Sequence, residues 1–254
     1  MDNLRISTIT ALSGFNTNID LKSLYDNIDI SDKIRFIQWG VANIKGKNDK
    51  VNKRPRKNKK KKNVFYNQIT LHYFINKVIN VKIFNNGKIQ MTGLKEIEQG
   101  KEVVESIKNI IKNINSKIKN DNKIIDNENF IINKYEIVLI NSDFNVGYII
   151  NRDILHRFIV NMNIYSSYEP IIYPGVNIKY FYNTCYNNGI CQCSKLCTGK
   201  GNSNGNGNCK RITIAVFKSG SIIITGANSI NQLLKSYNFI NNLMITNKEK
   251  FILK

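Results

Sequence analysis

Two thirteen-residue segments of this chain repeat one pattern, with five of thirteen positions identical. Residues 83–95 read IFNNGKIQMTGLK and residues 216–228 read VFKSGSIIITGAN. Phe84, Gly87, Ile89, Thr92 and Gly93 fall on Phe217, Gly220, Ile222, Thr225 and Gly226 at one constant offset, without a gap. A chain that repeats itself in this way builds one supersecondary unit twice. In each copy an apolar strand reaches a glycine-containing turn, NNGK or KSGS, and a second short strand follows, which is the pattern of a β-hairpin. Gly87, Gly93, Gly220 and Gly226 read as backbone devices for tight turns.

A long amphipathic helix follows each hairpin. Val103, Val104, Ile107, Ile110, Ile111, Ile114 and Ile118 recur at three-and-four spacing, as do Ile230, Leu233, Leu234, Tyr237 and Ile240. A shorter helix opens each half, over Leu21, Leu24 and Tyr25 with Asp20 as cap, and over Ile154, Leu155, Phe158 and Ile159 with Asp153 as cap. Each half therefore reads strand, short helix, several strands, long helix. Two such halves can join into one curved antiparallel sheet with helices on its convex face, an α+β architecture. The polar stretch at 119–130 divides a first repeat, 1–125, from a second, 126–254.

The formal net charge of +20 favours a polyanionic partner, with nucleic acid the leading candidate. Part of that charge sits in one block. Residues 45–62 carry 11 Lys or Arg against one Asp, and such a run repels itself and reads as a disordered loop. It can serve as a targeting signal, a phosphate-contacting arm, or a solvated insertion. Asn, Ile and Lys dominate elsewhere, the bias of an A+T-rich genome such as that of a protist or a large DNA virus. No apolar run reaches membrane-span length and the first residues form no signal peptide, so a soluble intracellular protein is expected. An enzyme is not expected. There is no P-loop, dinucleotide fingerprint or HExxH, the two histidines (His72 and His156) lie in a strand and a helix pattern, and the carboxylates are scattered.

The segment SSYEPIIYPGVNIKYF at 166–181 resembles the second-repeat signature of the TATA-box-binding-protein family. The two hairpins resemble that family's paired phenylalanine, Ser-Gly-Lys and Thr-Gly-Ala hairpins, and IDLKSLY at 19–25 resembles the start of its first helix. The resemblance covers most of the chain in order and leaves out two insertions, about 38–62 and 184–210. It implies a two-repeat saddle lying on the DNA minor groove, with apolar wedges that unstack base steps and bend the duplex, a mode for which this family is the standard example. It implies a general transcription initiation factor acting on A+T-rich double-stranded promoter DNA, with a B-type initiation factor and the RNA polymerase machinery as partners and no required cofactor. The setting would be a nucleus or a cytoplasmic viral replication compartment.

Carried over residue by residue, the wedges are Phe65 and Phe84 in the first repeat and Tyr173 and Phe217 in the second. Tyr173 stands where the family has phenylalanine. Thr92 and Thr225 match groove-facing threonines. Strand alternation puts Thr213, Ala215 and Ile223 on the same face, and in the first repeat Lys82 and Gln90 occupy places where the family is apolar. Asn141 matches the family's central asparagine of the second repeat, and Asn3 is its first-repeat candidate after a one-residue shift. Glu169 matches the surface that meets the B-type factor, beside Ile171 where the family is acidic.

All five cysteines, Cys185, Cys191, Cys193, Cys197 and Cys209, lie in a Gly- and Asn-rich insertion. Four thiolates around a structural zinc ion would order such a loop, though paired C-x-x-C knuckles are missing. Disulfides and free thiols remain open as alternatives, and the spacing does not say which cysteine is spare. Two other functional readings stay in play: a module of the same fold that binds nucleic acid without promoter preference or binds a protein, and a basic RNA binder with stacking aromatics.

Overall fold

The computed structural model describes residues 4–47, 66–118, 123–125, 127–186 and 188–253. The chain divides into two compact units, Ile9–Ile137 and Val138–Lys254, the latter joined by the residues up to Thr8. The division thus falls later than the polar stretch at 119–130. Phe130 packs edge-on against Phe15, and the Tyr135 hydroxyl donates to the Ile97 carbonyl oxygen, so both belong with the first unit. Among the described residues no helix is long and apolar enough to cross a membrane.

The first unit contains most of strand β1 (Arg5–Gly14), helix α1 (Leu21–Asn27), β2 (Ile34–Trp39), β3 (Asn43–Gly46), β4 (Gln68–Phe74), β5 (Val78–Phe84), β6 (Lys88–Leu94) and α2 (Ile97–Asn115). Its antiparallel strand order is β3-β2-β4-β5-β6-β1. One face of the sheet is apolar and covered. Ile69, Leu71, Ile79, Val81, Ile83, Ile89 and Met91 are buried, as are Val103, Val104, Ile107 and Ile111 of α2. The expected insertion at 38–62 begins inside this sheet, because β3 pairs with β2 through Gly46. Residues 48–62 lie outside the described residues.

The second unit contains β7 (Glu136–Asn145) from Val138, α3 (Arg152–Asn161), the short β8 (Ser166–Ser167), β9 (Val176–Tyr182), β10 (Lys210–Val216), β11 (Ser221–Ala227), α4 (Ile230–Thr246) and α5 (Lys248–Phe251). Its order is β7-β11-β10-β9-β8, with Arg5–Thr8 of β1 beside β7. Its buried face carries Ile178, Tyr180, Ile212, Ile214, Ile222 and Ile224, together with Leu233, Tyr237, Ile240 and Met244 of α4.

The repeat extends to the caps. The Gln99 side-chain oxygen accepts from the Lys95 backbone N–H at 2.9 Å, and the Gln232 oxygen accepts from the Asn228 N–H at 2.9 Å. Each glutamine thereby satisfies an orphan donor ahead of its long helix. Asp20 caps α1 as expected, accepting from Ser23 N–H at 2.7 Å. The expected cap of α3 is corrected. Asn151, not Asp153, accepts from Ile154 N–H, and Asp153 sits in the first turn, where a carboxylate complements the helix dipole. Gly87 and Gly220 close the two hairpins with φ of 76° and 83°. A Cβ at Gly87 would stand 2.3 Å from the Thr17 carbonyl oxygen, and one at Gly220 2.5 Å from that of Tyr148.

Candidate nucleic-acid interface and cysteine cluster

The helices cover one face of each sheet, and the alternate strand residues line the other. In the second unit this open face has two lateral rows. Asn141, Thr225, Thr213 and Lys179 pair in sequence across β7, β11, β10 and β9, and Asp143, Ile223, Ala215 and Asn177 form the neighbouring row. The Thr225 hydroxyl donates to the Asn141 side-chain oxygen, and the Lys179 ammonium donates to the Thr213 hydroxyl at 3.0 Å. Partial burial, with the Arg211 charge adding to it, holds the Lys179 pKa below its ordinary value. Ile223 is 39% exposed, an apolar side chain left on an uncovered sheet face.

At one end of this face stand two aromatic rings. Tyr173 and Phe217 meet edge-to-face, with centroids 5.8 Å apart and planes 63° apart. Gly175 is packed beneath them: a Cβ there would lie 2.9 Å from the Tyr173 ring and 3.2 Å from the Phe217 ring. The Arg152 guanidinium ties down the Pro174 carbonyl between them. The turn before the rings is fixed by the Glu169 carbonyl, which accepts from Ile172 and Tyr173 N–H, and it leaves Ile171 99% exposed. Glu169 itself is exposed.

In the first unit the equivalent rows are Thr10, Thr92, Asn80 and His72, and Leu12, Gln90, Lys82 and Thr70. Lys82 and Gln90 are therefore cross-strand neighbours and sit in the places held by Ala215 and Ile223 in the second unit. Phe84 ends β5, opposite Gln68. Phe65 and Asn3 lie outside the described residues. The place opposite Thr92 that answers Asn141 is occupied by Thr10. The register supports that equivalence: Phe15 N–H donates to the Gly87 carbonyl just as Val146 N–H donates to that of Gly220.

Sequence reasoning missed Lys179, Asn80 and the Arg5–Asp143 ion pair. Asn80 was readable, because it lies at the repeat's own offset from Thr213. Lys179 and Arg5 were not, because their partners are set by register between strands distant in sequence.

The cysteine-rich insertion is tied to the second unit by its backbone. Arg211 N–H donates to the Gly199 carbonyl, Phe181 N–H to that of Gly189 and Thr184 N–H to that of Ser203. The Gln232 amide also donates to the Ser203 hydroxyl. Four sulfurs converge. Those of Cys191, Cys193, Cys197 and Cys209 all lie within 4.8 Å of one another, with Cys193 to Cys209 at 3.4 Å and Cys191 to Cys209 at 3.8 Å. Cys185 is exposed and stands apart as the fifth. The Gly207 backbone N–H holds the Cys193 thiol below its ordinary pKa, while burial pushes Cys191 up and Cys209 up to about 12.

A curated protein of Acanthamoeba polyphaga mimivirus named "TATA-box-binding protein-like" is 31% identical to this chain in a gapped alignment of 258 positions that covers 95% of this chain. The chain is thus similar to a TATA-box-binding-protein-like protein. It spans 65% of that relative's length. Among solved structures, Methanococcus jannaschii TBP matches it with a TM-score of 0.51 at 17% identity, over 97% of this chain and 99% of that one, which establishes the shared α+β fold. No protein-family model matches the chain.

Proposed function

We propose that this chain is a transcription initiation factor that binds A+T-rich promoter DNA through the minor groove and bends it, without catalysis. The observation that carries the proposal is the open face of the second unit: hydroxyl, amide and apolar side chains in register, with the Tyr173–Phe217 pair at its end. The minor groove of A·T pairs offers shallow acceptors, an apolar floor and easily unstacked TA steps. The Asn141 amide and the Thr213 hydroxyl supply donors for the acceptors, Ile223 and Ala215 apolar contact, and the two rings a wedge for a base step. Phe84, with Phe65, would play the wedge role in the first unit, and Thr92 would face the groove there. Glu169 and the exposed turn beside it would meet a B-type initiation factor, and through it the polymerase. The site of action would be a nucleus or a viral replication compartment.

The first unit's Lys82 and Gln90 favour a second reading, in which the same fold binds nucleic acid without promoter preference. Gel-shift titration at fixed salt separates the two. The duplexes are a TATA element, the same element with I·C in place of A·T, and scrambled G·C-rich DNA. Tight binding to the first two alone supports minor-groove reading, because I·C presents the minor groove of A·T. Equal binding to all three favours the second reading.

We further propose that Cys191, Cys193, Cys197 and Cys209 hold a structural zinc ion. Zinc takes four thiolates at about 2.3 Å, which spaces ligand sulfurs about 3.8 Å apart. Four thiolates leave no open position for substrate or water, so the ion would fasten the insertion to β9 and β10. Metal analysis of the purified protein should find about one zinc per chain; metal-free protein with five titratable thiols would refute the site.

A further inference from the structure

Beyond Glu136 at the start of β7, Asp143 is the only carboxylate in β7, β9, β10 and β11, and no acidic residue occurs between Glu169 and Glu249. It lies on the open face, paired with exposed Ile223 and two residues along the strand from Asn141. The Arg5 guanidinium donates to its Oδ2 twice, from Nε at 3.2 Å and from Nη2 at 2.8 Å. Its Oδ1 accepts no hydrogen bond among the described residues, and the Asp143 side chain is 31% exposed. A carboxylate acceptor, paired with a guanidinium from the side and open at its tip, therefore stands on a face otherwise built of neutral and donor groups.

A carboxylate is a poor neighbour for an A·T minor groove, where adenine N3 and thymine O2 are both acceptors. The groove has a single donor, the N2 amino group of guanine. We propose that Asp143, held by Arg5, is a specificity-determining residue that accepts a hydrogen bond from a guanine N2 amino group, so that the preferred site contains one G·C pair within A+T-rich sequence. Asn141 complements it, because its side-chain oxygen is occupied by Thr225 and its N–H donors suit an adjacent A·T pair. The inference rests on the minor-groove reading above and adds the identity of one base pair.

The test uses the full chain and a TATA-element duplex series. Each A·T pair is replaced singly by G·C and by I·C, with guanine or inosine on either strand; inosine differs in the minor groove by lacking the amino group. The expected result is one position where wild-type protein binds G·C about tenfold more tightly than I·C, the scale of one hydrogen bond to a charged group. D143A should abolish that difference while binding the I·C duplex at least as well. R5A should weaken binding to every duplex and keep the ratio. Equal binding of G·C and I·C at every position by the wild-type protein would overturn the role of Asp143, and so would a ratio that survives in D143A. If wild-type protein binds the whole series no better than scrambled G·C-rich DNA, the minor-groove reading itself has failed.

Discussion

Gly175→Ala separates the proposed wedge role of Tyr173 and Phe217 from the stability of the fold. Gly175 does not adopt the left-handed conformation that would strain an alanine, so the backbone accepts the change. The added Cβ would lie 2.9 Å from the Tyr173 ring and 3.2 Å from that of Phe217, against 3.4 Å for an ordinary contact. The Tyr173 ring must therefore move by about half an ångström. It can do so, because Tyr173 is 40% exposed and its outer side is open. Off-rotamer strain of about 1 kcal/mol is offset by the 0.4–1 kcal/mol or so that Gly→Ala gains from a less flexible unfolded chain. Net stability should change by less than about 1 kcal/mol, a shift in Tm of no more than about 4 °C. DNA binding should respond more strongly. Stacking of an aromatic side chain on a base contributes about 1–3 kcal/mol, and displacing both rings without removing them should cost about 1–2 kcal/mol. That is roughly a five- to thirtyfold loss of affinity. Anisotropy titration on a TATA duplex reads the affinity, energy transfer between end labels reads the bend, and a thermal melt reads the fold. Wild-type affinity and wild-type bend at unchanged Tm would refute the assignment of these rings as a wedge.

Three further outcomes follow from the same structure. Cys209→Ser should abolish the proposed zinc binding and loosen the insertion, whereas Cys185→Ser should leave both unchanged, each checked by metal analysis and limited proteolysis. Asn115 is buried; its oxygen accepts from Ile124 and Ile125 N–H and its amide donates to the Ile125 carbonyl, so Asn115→Ala should cost about 2–4 kcal/mol in urea unfolding by orphaning those groups. Burial, with the Glu98 charge adding to it, pushes the Tyr135 hydroxyl up to about 12. Below pH 10 the proton is held in both folded and unfolded chains and this group's contribution is complete; between about pH 10 and pH 12 the unfolded chain ionises first and the contribution is lost. Stability measured from pH 8 to pH 12 should therefore fall more steeply in the wild type than in Tyr135→Phe.

The repeat, its hairpins and its helices were legible in the sequence because each rests on local chemistry. Turn glycines, three-and-four apolar spacing and capping residues act within a few positions of one another. The Gly87 and Gly220 turns, the long helices at 97–115 and 230–246 and the Asp20 cap were all within reach of such reasoning. The sequence also placed Thr213, Ala215, Ile223 and Thr225 on one strand face, because alternation in a half-covered sheet follows directly from the pleat. The tertiary structure decided what depends on register between distant strands. It set Thr10, not an asparagine, opposite Thr92, brought Arg5 onto Asp143 across 138 positions, and capped α3 with Asn151. It also separated Cys185 from the four sulfurs that converge. Cysteine spacing could not do so, because the path of an insertion is fixed by its hydrogen bonds to β9, β10 and α4 rather than by periodicity. A one-residue change of register turns every side chain to the opposite face, and only pairing in three dimensions fixes that choice.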